Sequence, residues 1–137
     1  MANPLHHAIS SARRYGGEPE QYRPIHEWFD EPKAWFADFR QRAIRHHSEG
    51  IALAVALFDD IVVDLGDGRT RTVPVRFIAE QHVREDLGRI PTAADWLRCM
   101  QPQAWMTRNA RRLSRELGAQ EPSGLTAASF WSGEQVA

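Results

Sequence analysis

Cysteine is almost absent. Cys99 is the single one in 137 residues, which excludes an intrachain disulfide and a cysteine-based zinc knuckle. A lone thiol fits a reducing compartment, and with Leu97 and Met100 beside it Cys99 reads as packed rather than reactive. Long apolar runs are also missing. The longest, IALAVALF at Ile51–Phe58, falls far short of the roughly 20 residues that cross a bilayer. The opening MANPLHHAIS has no basic stretch leading into an apolar one, so no signal peptide is expected and the expected location is the cytoplasm. Neither sign of charge dominates: 17 Lys and Arg stand against 18 Asp and Glu, a net charge of −1. That removes the electrostatic case for nucleic acid or an anionic membrane as partner.

Several chemical signatures are absent as well. There is no H-E-x-x-H and no G-x-S-x-G elbow around Ser10 and Ser11, so a metalloprotease or serine-hydrolase reading has no motif behind it. GDGR lacks the GK[ST] ending of a phosphate loop, and the acids Asp59, Asp60, Asp64 and Asp67 do not follow the calcium-loop pattern, so they read as a solvated face. What is present is ordinary globular material: 42% hydrophobic residues, with five Trp and six Phe. That is enough for a core without covalent staples.

The pattern along the chain predicts an α+β fold, mainly helical, with one β-hairpin inserted between helices. Asn3 and Pro4 start a helix that Gly16 and Gly17 stop. EPEQYRPIHEWF reads as a loop with a short helical turn at Ile25–Phe29. Asp30 caps a helix carrying Trp35, Phe36, Phe39, Ala43, Ile44, His46 and His47, which runs on through Gly50 or bends there. Two β-rich runs flank GDGR, giving a hairpin near residues 61–77 with its turn at Gly66–Arg69 and Gly68 at positive φ. Helix returns at Ile78–Leu87 and ends at Gly88. Thr92 and Asp95 begin another, and a final helix spans Pro102 to about Leu117, closed by Gly118. Residues 1–118 are expected to be one domain. Residues 119–137, rich in small residues, are expected to be a flexible or partner-bound tail.

Four stretches, HHAISSARRYGG, PIHEWFDEPKAWFADFR, RAIRHHSEGI and VPVRFIAEQHVREDLGRIPTAADWL, together resemble a family of short bacterial and bacteriophage proteins that carries a domain-of-unknown-function label. The resemblance runs from Met1 to Leu97 and leaves out the segment after Cys99. It implies a phage or prophage setting. Its relatives often carry a further histidine where this chain has Gln41.

All six histidines, His6, His7, His26, His46, His47 and His82, fall within those stretches. Neutral imidazole is a common ligand of divalent metals such as zinc and iron, and three ligands from separate elements with an open position is how catalytic zinc is held. At 100° per residue, His47 follows Ile44, Ile51 and Val55 inward, and His46 lies on the adjoining side. His82 stacks on Ile78 and Asp86, His6 edges the Leu5/Ile9 face, and His7 points away beside Arg14. The expected metal site is therefore His47 and His82 with either His26 or His7, and with Asp86, or else Glu85, as carboxylate ligand or as the group that orients a ligand. The competing account is a hydrogen-bonded core in which Asp86 merely fixes the tautomer of His82. On either account His82 is expected to be buried, in one polar cluster with at least one of His26, His46 and His47.

The last helix carries Arg108, Arg111, Arg112 and Arg115 on overlapping turns, and Trp131 stands beside Phe130 in the tail. These five residues are the expected surface for a protein partner; nucleic acid is not expected. Two functions follow from the sequence: a small metal-binding protein with hydrolytic chemistry at the histidines, or a non-enzymatic accessory or inhibitor protein that acts by docking.

Overall fold

The structure, a computed structural model, describes residues 3–108. Helix α1 covers Pro4–Tyr15. Its start is set by Asn3, whose Oδ1 accepts the His6 N–H at 3.1 Å, and by Pro4 in the first turn. It ends where the Gly16 N–H donates to the Ala12 carbonyl.

Helix α2 spans Pro19–Asp30, where the sequence suggested a loop with one helical turn. Its prolines obscured it. Pro19 occupies the first turn, where a missing N–H costs nothing, and Gln21 Oε1 accepts the Glu18 N–H at 3.0 Å, closing the helix start. Pro24 does remove one backbone bond, a cost of about 3 kcal/mol. Tyr22, Ile25 and Phe29 are fully buried on the same helix, and at roughly 1.5–3 kcal/mol each they outweigh it.

The next segment departs most from expectation. Residues 31–47 are not one helix but two short 3-10 turns, Glu31–Ala34 and Phe39–Ile44. The aromatic spacing that suggested a helix does not mark a core face: Trp35, Phe36 and Phe39 are exposed. Asp38 breaks the run by accepting the Arg40 N–H through its own carboxylate. Helix α3, Ser48–Leu57, begins afresh with His47 as its cap.

Strands β1 (Ile61–Gly66) and β2 (Arg69–Val73) pair antiparallel, with Ile61 opposite Val73 and Val63 opposite Arg71. Asp67 and Gly68 form the turn with φ of 54° and 71°, the twin positive angles that match the right-handed twist of the strands. The hairpin stops at Val73, short of residue 77. Pro74 has no N–H to extend the ladder, and Val75 and Phe77 belong to the first turn of α4, Val75–Leu87. That helix closes at Gly88.

Helix α4 organises the first unit of the chain, which ends at Ala93. It packs against α1, α2 and α3, while α1 and α2 pack on each other. Ile78, Ala79 and Val83 of α4 meet Phe29, Ile25 and Ala8 in the core, and Val63 and Val73 of the hairpin join it. The short helix α5, Ala93–Leu97, begins at the last residue of the first unit, and the second unit holds the rest of it and helical residues 104–108. Cys99 is exposed there, not packed as its neighbours suggested. Among the described residues no helix is long and apolar enough to cross a membrane.

Candidate metal centre

The inward face of α1 is polar. His7 and Ser11 are buried beside Ala8, while Leu5 and His6 are exposed. Helix α1 is thus turned by about one residue from the orientation its apolar side chains suggested. His7, expected outside, is in the centre. Helix α2 adds His26 and Asp30, α4 adds His82 and Asp86, and the end of the 3-10 segment adds His46. All these side chains are buried, that of Asp86 to within 2% although the residue as a whole is partly exposed. His26–Asp30 and His82–Asp86 are the same device twice: a histidine and an aspartate one helical turn apart, presented by two helices in contact.

The hydrogen bonds fix the tautomers. Gln81 Nε2 donates to Glu85 Oε1 at 2.7 Å and to the His7 carbonyl at 3.4 Å. Its Oε1 therefore faces Ser11, and the Ser11 hydroxyl donates to it at 3.0 Å. That uses the only hydrogen on the hydroxyl. His26 Nε2, 2.8 Å from the same oxygen, must then be the donor, which leaves His26 Nδ1 with a lone pair. His82 Nδ1 lies 2.9 Å from it, and the two ring centroids are 5.2 Å apart, the spacing of rings meeting nitrogen to nitrogen. His82 Nδ1–H donates to His26.

A neutral His82 consequently turns its Nε2 lone pair toward two carboxylates. Nε2 lies 3.3 Å from Asp86 Oδ2, 3.5 Å from Asp30 Oδ1 and 3.1 Å from His46 Nε2. His46 Nε2 is 2.9 Å from Asp86 Oδ2 and 3.6 Å from Asp30 Oδ1. Neither oxygen of the buried Asp30 has a hydrogen-bond donor. Ligand atoms held about 2.0–2.2 Å from one ion stand roughly 2.9 Å apart at a right angle and 3.4 Å apart at the tetrahedral angle. Three of the measured separations, 2.9, 3.1 and 3.3 Å, fall in that range, and the two to Asp30, 3.5 and 3.6 Å, lie just beyond it.

Asp30, His46, His82 and Asp86 therefore form a cluster geometrically suited to a metal ion, and His7, His26 and His82 form a second grouping that shares His82. Their contacts differ in kind. The His26–His82 contact is a head-on hydrogen bond, whereas His46 and His82 converge, with centroids 5.0 Å apart and planes at 58°. The first cluster has the ligand geometry, and His26 is the hydrogen-bond partner that orients His82.

Electrostatics agree. Burial, then the neighbouring His82 and His7, push His26 down to about 2. Burial also holds His46 below its ordinary value, against the pull of Asp86. Both imidazoles are neutral, as a ligand requires. Burial alone would raise Asp86 and Asp30. For Asp86 the neighbouring imidazoles of His46, His7 and His82 reverse that, and for Asp30 the proximity of His82, so both stay ionised. Arg42 and Lys33 approach them from outside at 3.5 Å. His7 is raised, because burial is outweighed by Asp86 and Glu85, 3.2 and 3.3 Å from its two nitrogens.

Of the residues expected at a metal, the structure brings together His7, His26, His82 and Asp86, and places His47 elsewhere. His47 Nδ1 accepts the Gly50 N–H at 2.9 Å, and Nε2 donates to the Ile44 carbonyl at 3.1 Å. Both nitrogens are committed to starting α3. Glu85 lies behind His7. His82 is fully buried in one cluster with His26 and His46, as its stripe on α4 predicted. Sequence reasoning missed Asp30, read as a helix cap, and passed over His46 in favour of its neighbour. The repeated H-x-x-x-D spacing was the available signal for Asp30. It becomes visible once α2 is seen to be a helix.

Residues 2–106 match a family model described as a domain of unknown function, DUF6915. The chain belongs to the DUF6915 family. The match includes every residue of the buried cluster and extends past Cys99, beyond the reach of the resemblance read from the sequence. No curated protein and no solved structure matches. Among the expected partner residues, Arg108 is exposed; Arg111, Arg112, Arg115 and Trp131 lie outside the described residues, as does the expected boundary at Gly118.

Proposed function

We propose that this DUF6915 protein binds one divalent transition metal, of the zinc or iron type, through Asp30, His46, His82 and Asp86. The observation that carries the reading is Asp30: a buried carboxylate whose oxygens accept no hydrogen bond, approached only at its outer oxygen by the Lys33 ammonium at 3.5 Å, and which faces two converging imidazole nitrogens. Burying an ionised carboxylate is costly unless a cation or strong donors accompany it. A divalent ion balances two carboxylates, and nitrogen and oxygen donors without sulfur suit borderline and hard ions rather than copper(I). The chemistry such an ion supplies is activation of a bound water for hydrolysis. The competing account puts a second proton on His82, which then bridges the carboxylates as an imidazolium. Chelation separates them. With a metal, a chelator lowers the melting temperature and zinc or iron(II) restores it, because the ion binds the folded state. With a proton, a chelator changes nothing.

A second reading, that of a phage accessory or inhibitor protein acting by docking, is favoured by one observation. Trp35, Phe36, Phe39 and Ile44 are 44–64% exposed within a single short stretch, and exposed aromatics make anchors. The two readings are compatible, since that stretch joins Asp30 to His46.

A further inference from the structure

The solvent side of the α1–α4 contact holds a cavity of 460 Å³ whose walls include Ser10, Arg14 and Tyr15 of α1 and Phe77, Glu80, Arg84 and Glu85 of α4. That size is typical of sites for small molecules. Its charges are unequally engaged. Glu80 is approached by Arg76 at 3.9 Å and Arg84 at 3.7 Å. Glu85 is held by His7 and Gln81. Arg14 meets no carboxylate among the described residues; its guanidinium lies 5.6 Å from the centroid of the Tyr15 ring. The acids of the cavity are thus occupied, whereas Arg14, resting against the Tyr15 ring, has no carboxylate partner among the described residues. The Tyr15 and Phe77 rings lie near it, 6.5 Å apart and 30° from parallel.

We propose that this cavity binds a small aromatic carboxylate. The planar fork of Arg14 matches a carboxylate, which it takes in two parallel hydrogen bonds, and the Ser10 hydroxyl, one turn back on α1, is a further donor. Tyr15 and Phe77 offer faces and edges to a single ring. A cationic ligand finds no free acid there, and an aliphatic acid leaves the aromatic wall unused. The metal centre lies on the inner side of the same helices, behind Gln81 and Glu85 of the cavity wall.

Calorimetric titration of the full-length protein with benzoate tests this. The expected result is saturable binding with a Kd on the order of 1 mM. Acetate and benzylamine should each bind at least about tenfold more weakly. Arg14→Gln and Phe77→Ala, both at exposed positions, should each weaken benzoate by about tenfold or more while the melting curve stays that of the wild type. Absence of saturation, benzylamine binding as tightly as benzoate, or wild-type affinity in Arg14→Gln would overturn the proposal. The last outcome also covers benzoate lodging at the metal, which Arg14 does not touch.

Discussion

Ser11→Ala removes one hydroxyl, yet it tests the whole chain of tautomers. In the wild type that hydroxyl donates to Gln81 and accepts from His26, and Ser11 is fully buried. Alanine leaves two buried polar groups unpaired, the Gln81 oxygen and the His26 Nε2–H. At roughly 1–3 kcal/mol each, less the few tenths by which alanine favours the helix, the loss is about 2–5 kcal/mol. For a domain of this size each kcal/mol lowers the melting temperature by about 4–8 °C. Denaturant melts of metal-free protein read this cost directly. The second effect is specific to the hydrogen-bond chain. With no acceptor at residue 11, His26 is free to carry its proton on Nδ1, and His82 then loses the partner that holds its Nε2 toward Asp30 and Asp86. Loss of such outer support weakens a metal by about 10–100-fold. Nitrogen-detected spectra of the wild-type imidazoles should show His26 protonated at Nε2 and His82 at Nδ1, and Ser11→Ala should erase that pattern. Stability within about 0.5 kcal/mol of wild type, or unchanged tautomers, would refute the reasoning.

Gly50→Ala should disable the centre from a distance. A methyl group there overlaps the backbone carbonyl of Arg45, next to His46, so a melt should show a loss of about 1–3 kcal/mol together with weakened metal binding; retained affinity would contradict it. Gly68→Val should cost about 1–2 kcal/mol, because φ is 71° while nothing lies near enough to obstruct the side chain; an unchanged melting temperature would argue against the turn. Metal-free stability should fall as pH drops below about 6.5, since His26 and His46 are held below their unfolded values. Their contribution is complete above that pH and is lost toward the folded value, about 2 for His26, at about 1.4 kcal/mol per pH unit for each extra proton the unfolded chain binds. His7 acts oppositely: its contribution is present below about 6.5 and is lost as pH rises through its raised folded value. A stability profile that is flat between pH 7 and pH 5 would exclude this assignment.

Elements governed by local chemistry were legible in the sequence. Asn3-Pro4, Asp67-Gly68 and Gly88 act through their own backbone angles and hydrogen bonds, and the structure has them where the pattern did. His82 was legible because Ile78, His82 and Val83 share a face of α4 that is buried. What failed was the assumption that buried faces are apolar. On α1 the buried face is His7, Ala8 and Ser11, so the orientation inferred from Leu5 and Ile9 was off by enough to exchange His6 with His7. In residues 31–47 the large apolar side chains, Trp35, Phe36, Phe39 and Ile44, are the exposed ones, and helical spacing there described a surface. For Asp30 only the H-x-x-x-D spacing from His26 is local; the packing of α2 on α4 that brings it to His82 is long-range and leaves no mark in the sequence.

Metal content of untagged wild-type protein, measured by elemental mass spectrometry beside His82→Ala, bears most directly on the central claim. His82 Nε2 lies within 3.5 Å of each of the other three groups of the cluster. The account predicts about one equivalent of a divalent transition metal per wild-type chain and an empty variant, as expected where a buried site loses one of its four ligands. A metal-free wild type that takes up no zinc or iron(II), or a variant carrying as much metal as the wild type, would contradict it.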